Sequence, residues 1–250
     1  MPKVRVSAIS YLNSLPFVYC MEHSSLKEEM DISYDIPSQC ADKLLSGSAD
    51  VGLIPIVETL RMSEYHIISD LCIGATGPVK SVVLAGDVPL ADIETIYLDY
   101  HSRTSVMLAR ILAADYWHIT PRWVNVPGDI LGEKITGPSA MVAIGDKTFN
   151  LDMPYVYDLA GEWESFTGLP FVFACWVANK RLDEAFIRKF DDAMNPVLTD
   201  IGVIAEHYRD SIPPGVDILD YWTNNISYNL DASKREGLKL FLQYAKAHSK

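Results

Sequence analysis

The sequence predicts an α/β protein of two lobes with a hinged cleft, and three observations support this prediction. The N-terminal part has the order β-α-β-α-β, the middle of the chain repeats that order, and an apolar strand followed by amphipathic helices comes late. We expect the chain to pass between the lobes twice, near residues 81–85 and 171–177, and ligands bind in clefts of this kind. Lobe 1 is then expected to contain residues 1–82 and 175–250, and lobe 2 residues 83–174.

The N-terminal part of the chain predicts parallel strands joined by helices. Apolar runs typical of buried strands occupy residues 3–9, 30–35 and 51–55. Pro16 fits the first turn of a helix over residues 15–21, because proline is tolerated there. Ser38 fits the N-cap of a second helix over residues 39–46. An order of this kind implies right-handed crossovers between the strands.

The middle of the chain repeats this pattern. Strands are predicted at residues 81–85, 96–98, 122–126 and 140–144. A long helix is predicted over residues 106–116, with Leu108, Ile111 and Leu112 on one face. The two parts share an architecture and no detectable sequence repeat.

The last third of the chain predicts one buried strand and three helices. Residues 171–177 form a continuous apolar run, which is typical of a strand covered on both faces. Amphipathic helices are predicted at residues 183–195, 199–210 and 233–247. Ser233 and Glu236 have the spacing of a capping box at the start of the last helix. We expect these helices to pack against lobe 1, because the sequence offers them no other obvious surface.

The charge balance excludes several classes of partner. The chain has 33 acidic and 21 basic side chains, a formal net charge of −12. Nucleic-acid-binding domains need a basic face, and anionic lipid attracts basic segments, so we expect neither nucleic acid nor a membrane as a partner. No apolar run reaches the about 20 residues of a membrane span. Since no secretory signal pattern opens the chain either, we expect a cytoplasmic protein.

The cysteines and histidines predict neither a metal nor an organic cofactor. The four cysteines are widely spaced and favour buried thiols; they are Cys20, Cys40, Cys72 and Cys175. The six histidines form none of the paired motifs of metalloenzymes. No glycine-rich nucleotide-binding motif occurs either.

Polar loops between a strand and a helix are the candidate ligand-binding segments, and they occur at residues 11–16, 101–105 and 145–148. In open α/β sheets, ligands bind at the carboxyl ends of strands, where helix N-termini attract carboxylates. Ser102, Arg103, Thr104 and Ser105 combine hydroxyls, a guanidinium group and backbone donors. An ordinary capping loop is the alternative interpretation of these four residues.

Three further residues each have a functional and a structural interpretation, and one histidine also lies in a candidate loop. Ser81 either donates to a ligand or lies at the edge of a strand. Asp146 is either an acid or base, or the cap of the next helix. Gly145 either lets a ligand approach the backbone or makes a turn. His101 is the one histidine inside a candidate loop.

A set of short motifs strengthens the functional interpretation. They are YLNSLP at 11–16, PS at 37–38, GSADV at 47–51, IP at 54–55, GPVKSV at 77–82, SRTS at 102–105, IGD at 144–146, YDL at 157–159, Trp163, and TGLPFVFA at 167–174. In this order and spacing they resemble the chorismate dehydratase family of the futalosine pathway of menaquinone biosynthesis. The resemblance covers most of residues 4–177.

The resemblance implies a type II periplasmic-binding-protein-like fold and a carbon–oxygen lyase. Its reaction converts the dicarboxylate chorismate to 3-[(1-carboxyvinyl)oxy]benzoate and water without a metal or organic cofactor. Asn13 and Ser81 match positions that contact the substrate, and we assign them the catalytic role. The substrate-binding set implied by the resemblance and the loops is Tyr11, Ser38, Ser102, Arg103, Thr104, Ser105, Gly145, Asp146 and Pro170.

Three alternative functions stay open. They are a non-catalytic binding protein for a small carboxylate, the sister enzyme 1,4-dihydroxy-6-naphthoate synthase, and a cytosolic ligand-sensing domain. The opening motif of the sister enzyme differs, so residues 11–13 favour the dehydratase. No residue is a convincing general base, and the substrate's own carboxylate is one candidate for that role. A homodimer is compatible with the sequence, which does not fix the oligomeric state.

Overall fold

The computed structural model describes residues 3–99, 103–126 and 135–249 and divides into two compact units. Unit 1 consists of residues 1–74 and 172–232, and unit 2 of residues 75–171 and 233–250. None of the helices in the described ranges is long and apolar enough to cross a membrane.

The described residues form eleven strands and nine α-helices. The strands are β1 (Val4–Ile9), β2 (Met30–Asp35), β3 (Val51–Pro55), β4 (His66–Ala75), β5 (Val82–Gly86), β6 (Thr95–Asp99), β7 (Arg122–Val126), β8 (Ser139–Ile144), β9 (Tyr155–Asp158), β10 (Phe171–Ala178) and β11 (Ser227–Asn229). The helices are α1 (Leu15–His23), α2 (Pro37–Leu45), α3 (Arg103–Ile111), α4 (Leu159–Thr167), α5 (Glu184–Met194), α6 (Pro196–Thr199), α7 (Ile201–Tyr208), α8 (Ile218–Asp220) and α9 (Ala232–His248). Short π-helices follow α3 and α8, at Leu112–Tyr116 and Tyr221–Asn225.

The sheet of unit 1 has the order β11-β4-β10-β3-β1-β2. Strand β1 is parallel to β2 and β3, which confirms the parallel N-terminal strands. Strand β10 runs antiparallel to β3, and all eight of its residues are buried, as its apolar sequence predicts. Strands β4 and β11 complete this sheet and were not predicted.

Aromatic side chains join the helices of unit 1 to its sheet. The ring of Trp176 on β10 lies 5.6 Å from Phe17 of α1 and 5.1 Å from Phe190 of α5, in edge-to-face geometry. The predicted helix over residues 183–195 is confirmed as α5, which begins after Asp183. The side chain of Asp183 caps it by accepting a hydrogen bond from the N–H of Ala185 at 2.7 Å. Helix α7 confirms the next predicted helix.

The sheet of unit 2 has the order β7-β6-β8-β5-β9. Strand β6 is parallel to β7 and β8, and α3 connects β6 to β7, so the repeated β-α-β order in the middle of the chain is confirmed. Strand β5 is antiparallel to both β8 and β9. The short strand β9 and the helix α4 that follows it were not predicted.

The C-terminal helix α9 packs in unit 2, whereas the sequence predicts that it packs against lobe 1. Phe241 of α9 lies 6.1 Å from the ring of Trp163 and 5.0 Å from that of Phe171. Gly237 gives the helix this close approach, because a Cβ at that position would overlap the carbonyl oxygen of Pro170. The expected lobe boundaries near residues 82 and 174 stay predictions.

Two predicted helix caps are wrong. Helix α2 begins at Pro37, so Ser38 lies inside its first turn and the N-cap position is Ile36. The proline fits the first helical position, because it has no N–H to leave without a partner. Helix α9 begins at Ala232, so Ser233 is likewise inside the helix.

Candidate functional site

The carboxyl edge of the unit 2 sheet brings together residues from four strands. Strands β6 and β8 are parallel, so both end at this edge. The antiparallel strand β5 begins there, since Val82 pairs with Ile144. Strand β9 ends there, since Asp158 pairs with Val83. Three helical segments therefore start at this edge: α3 after β6, a 3-10 helix at Asp146–Asn150 after β8, and α4 after β9.

Ser81 and Gly145 are joined at this edge by a backbone hydrogen bond. The N–H of Gly145 donates to the carbonyl oxygen of Ser81 at 2.9 Å. The backbone of Gly145 has φ 75° and ψ −161°, a region that essentially only glycine adopts. Its carbonyl oxygen accepts a hydrogen bond from Oγ1 of Thr148 at 2.8 Å. Gly145 occupies the cap position of the 3-10 helix, so Asp146 lies in the first turn of that helix and is not its cap.

Helix α3 starts three residues earlier than the sequence predicts, at Arg103. Thr104 and Ser105 are therefore in its first turn, and each is 2% exposed. The first N–H groups of an α-helix have no partner within the helix and carry a partial positive charge, so this turn can bind an anion. Ser102, which completes the predicted cluster, and His101 lie outside the described residues.

The carboxyl edge of the unit 1 sheet carries a tight turn after β1. The carbonyl oxygen of Tyr11 accepts hydrogen bonds from the N–H groups of Ser14 at 2.9 Å and Leu15 at 3.1 Å. The hydroxyl of Ser14 donates to the same oxygen at 3.0 Å. Asn13 lies in this turn and is half-buried. Among the described residues, none forms a hydrogen bond with the side-chain amide of Asn13.

Two aromatic residues from late in the chain hold this turn. The indole N–H of Trp222 donates to the carbonyl oxygen of Leu12 at 2.8 Å. The hydroxyl of Tyr228 donates to the carbonyl oxygen of Asn13 at 2.9 Å, and burial raises the pKa of Tyr228 well above its usual value. Both side chains are buried, so these two aromatic residues pack within the protein.

Two other predicted binding residues have clear positions. Ser38 lies on α2, which follows β2 to the same edge of the unit 1 sheet. It is 3% exposed, and no hydrogen bond to its side chain forms within the described ranges. Pro170 lies in unit 2, where its backbone packs against Gly237, and this contact is structural.

Asp158 is a residue of the unit 2 edge that sequence reasoning missed. It caps α4 and also accepts backbone hydrogen bonds from the segment that precedes Ser81. Its place just before an apolar helix is a signal for a helix cap. The contact with a segment 78 positions away has no such local signal.

Asp35 is a charged residue at the edge of the unit 1 sheet, and neighbouring side chains stabilise its charge. At the end of β2, burial raises the pKa of Asp35, but hydrogen bonds from Lys43, Ser7 and Ser33 outweigh this effect and lower it. In the described ranges, no group of three or more His, Cys, Asp or Glu side chains could hold a metal ion.

A family model and curated relatives match the chain over nearly its full length. Residues 4–247 match the family described as "Menaquinone biosynthesis". The chain is 26% identical over 249 residues to "Chorismate dehydratase" of Campylobacter jejuni, and the match covers 96% of each chain. It is 24% identical over 255 residues to "Chorismate dehydratase" of Thermus thermophilus, with 93% of this chain and 92% of the relative covered.

Solved structures resemble the fold. Protein AF1704 of Archaeoglobus fulgidus superposes with a TM-score of 0.76 at 18% identity, covering 98% of this chain and 97% of that one. The alkanesulfonate-binding protein SsuA of Xanthomonas axonopodis, bound to MOPS, gives 0.64 at 14% identity, with coverage of 99% and 92%. A Candida albicans protein described as having the generic periplasmic binding protein fold gives 0.64 at 12% identity, with coverage of 100% and 92%. The predicted α/β periplasmic-binding-protein-like fold is confirmed.

Proposed function

Because the chain belongs to the menaquinone biosynthesis family, we propose that it is an enzyme that dehydrates chorismate to 3-[(1-carboxyvinyl)oxy]benzoate. The names of the two relatives support chorismate as the substrate. The observation that carries the proposal in this chain is the joined pair Ser81 and Gly145, at the sheet edge where α3 also begins.

The reaction needs little help from a general acid or a general base in the protein. Chorismate has two carboxylates and a ring hydroxyl. The ring carbon that bears the ether loses its proton, the neighbouring carbon loses its hydroxyl, and both leave as water while the ring becomes aromatic. Since aromatisation supplies the driving force, positioning of the substrate and exclusion of water can supply much of the catalysis.

The proposed roles follow from the position of each residue. The first turn of α3, with Thr104 and Ser105, binds one carboxylate through backbone N–H groups and hydroxyls. Ser81 orients the leaving hydroxyl beside Gly145. Asn13, whose side chain is half-buried, keeps the catalytic role that its motif predicts. A carboxylate of the substrate itself takes the ring proton and passes it to the departing hydroxyl, which leaves as water.

The first experiment incubates the purified protein with chorismate and follows the products by chromatography and mass spectrometry. We expect a new aromatic compound that is one water lighter than chorismate and forms only with protein. Ser81→Ala and Asn13→Ala are each expected to lower kcat/KM by about 10- to 100-fold, the value of a lost hydrogen bond to a charged or developing-charge group.

Ser139→Ala is the matched control for Ser81→Ala. Ser139 begins β8 at the opposite edge of the same sheet, so its variant is expected to keep full turnover. If both catalytic variants keep full turnover while chorismate is consumed, the assignment of Ser81 and Asn13 is wrong. If the folded protein leaves chorismate unchanged, the dehydratase proposal itself is wrong.

A non-catalytic binding protein is the second candidate, because SsuA has a similar fold and is named for the solute it binds. A thermal-shift screen of carboxylated metabolites separates the candidates. Stabilisation by chorismate without turnover favours a binding protein, and stabilisation by a larger naphthoate precursor favours the sister synthase. Cytoplasmic location and a homodimer stay predictions.

A further inference from the structure

The carboxylate of Asp158 receives backbone hydrogen bonds from two separate segments of unit 2. Its Oδ1 accepts from the N–H groups of Val79, Ala160 and Gly161, each at 3.1 Å. Its Oδ2 accepts from the N–H of Lys80 at 2.6 Å. Ala160 and Gly161 belong to the first turn of α4, whereas Val79 and Lys80 lie just before β5.

Asp158 accepts more backbone hydrogen bonds than a helix cap needs. A capping side chain satisfies the N–H of the second or third helical residue. Asp183 at the start of α5 accepts one such bond, from Ala185, and Asp217 at the start of α8 accepts one, from Asp220. At Asp158, the two bonds from Val79 and Lys80 are additional to the cap, and they connect α4 to a distant segment.

The segment that Asp158 holds is bent at Lys80. Lys80 has φ 63°, in the left-handed region that residues other than glycine rarely adopt. A backbone of this kind persists where its surroundings hold it in place. The bond from the N–H of Lys80 to Oδ2 of Asp158 does so. The next residue is Ser81, whose carbonyl oxygen binds the N–H of Gly145, so the bend sets the position of this pair.

We propose that Asp158 is a positioning residue, whose carboxylate fixes the bend at Lys80 and through it the placement of Ser81 and Gly145. The inference rests on the proposed function, because Ser81 acts on the substrate only there. Asp158 acts here through the backbone, because four backbone N–H groups donate to its carboxylate, three to Oδ1 and one to Oδ2.

Asp158→Asn removes the bond from Lys80 and leaves the bonds of Oδ1, including that from Val79. The amide oxygen can keep the three bonds of Oδ1, and asparagine caps a helix as well as aspartate does. The amide NH2 group, however, cannot accept the bond from Lys80. We expect kcat for chorismate to fall at least tenfold, KM to change less than threefold, and the melting temperature to stay close to that of the wild type.

Asp183→Asn is the matched control, because Asp183 caps α5 with the same chemistry and is joined to no second segment by a bond of this kind in the described ranges. Its turnover is expected to equal that of the wild type. Asp158→Ala removes the cap as well, so it is expected to lower both turnover and melting temperature.

Hydrogen–deuterium exchange tests the inference without the reaction. In Asp158→Asn, the amides of residues 80–83 are expected to exchange at least tenfold faster, while those of α4 stay protected. Unchanged exchange at residues 80–83 overturns the inference, and so does faster exchange with unchanged kcat. If the wild type does not turn over chorismate, the proposed function fails, and the exchange result alone then decides whether Asp158 holds the bend.

Discussion

At the scale of single residues, the backbone conformation at position 145 restricts which residue types can occupy it. Its φ of 75° and ψ of −161° are essentially reserved for glycine, and its two backbone groups bind Ser81 and Thr148. We expect Gly145→Ala to lower the free energy of unfolding by about 1–3 kcal/mol and to reduce turnover, because the strain is relieved only by moving this backbone. Urea unfolding and steady-state kinetics measure the two effects.

Gly202→Ala is the control for this substitution. Gly202 lies in α7, and a Cβ there meets no atom within 4 Å. Alanine is expected to raise the free energy of unfolding by about 0.5–1 kcal/mol, since it loses less backbone entropy than glycine in a helix. Equal destabilisation by both variants would show that the conformation of Gly145 has no special cost.

At the scale of elements, the placement of α9 depends on one small side chain. Gly237 lies against the carbonyl oxygen of Pro170, with no room for a Cβ. We expect Gly237→Ala to lower the free energy of unfolding by about 1–3 kcal/mol, because the helix has to move away from the aromatic rings of Trp163 and Phe171. Lys239→Ala, at an exposed position of the same helix, is expected to change it by less than about 0.5 kcal/mol. Urea unfolding compares the two, and equal effects contradict the close packing.

The elements also show what a sequence can and cannot predict. Short apolar runs bounded by polar residues predicted β1, β3, β8 and β10, because burial on both faces leaves a local signal. Strand β4 was missed because Ser69 and Asp70 interrupt its apolar run. The hydroxyl of Ser69 is satisfied by Asp191, which is 122 positions away. Strand β9 was missed because it has only four residues, none of them buried. It is a strand because it pairs with β5 at the edge of the sheet.

The candidate site was likewise predicted only in part. The motif resemblance and loop chemistry pointed to Ser81 and Gly145, and the structure joins them through their backbones. The bond from the N–H of Lys80 to Asp158 could not be predicted, because it depends on the pairing of β5 with β9. Ser102 lies outside the described residues, so the loop before α3 stays a prediction.

At the scale of the whole molecule, acid is expected to destabilise unit 1. Hydrogen bonds from Arg5 and Lys180 lower the pKa of Asp50, and the bonds of Asp35 lower its pKa as well. A carboxyl whose folded pKa is depressed stabilises the fold above its unfolded pKa and loses this effect as pH falls toward the folded pKa. Burial raises the pKa of Asp191, so protonation of this residue favours the folded state. Its effect on the free energy of unfolding therefore offsets part of the loss from Asp50 and Asp35 in acid.

We therefore expect the free energy of unfolding of unit 1 to fall as pH drops below about 4, near the unperturbed pKa of aspartate. Asp50→Asn is expected to be less stable than the wild type at pH 7, because it lacks the negative charge that pairs with Arg5 and Lys180. In acid the difference in the free energy of unfolding is expected to shrink, because the wild type loses this stabilisation as Asp50 becomes protonated. Urea titrations across this range measure the difference. Asp210→Asn is the control, since that side chain is 98% exposed, and an identical pH profile for Asp50→Asn and the wild type would contradict the role of Asp50.

The position of the four buried cysteines gives the protein an internal reporter of unfolding. Cys20, Cys40, Cys72 and Cys175 all belong to unit 1, and unit 2 contains no cysteine in its sequence. Burial raises the pKa of Cys20 and Cys40 to about 12, so these thiols do not react while unit 1 is folded. The rate at which a thiol reagent modifies the native chain therefore measures how often unit 1 opens, with no label introduced and no signal from unit 2.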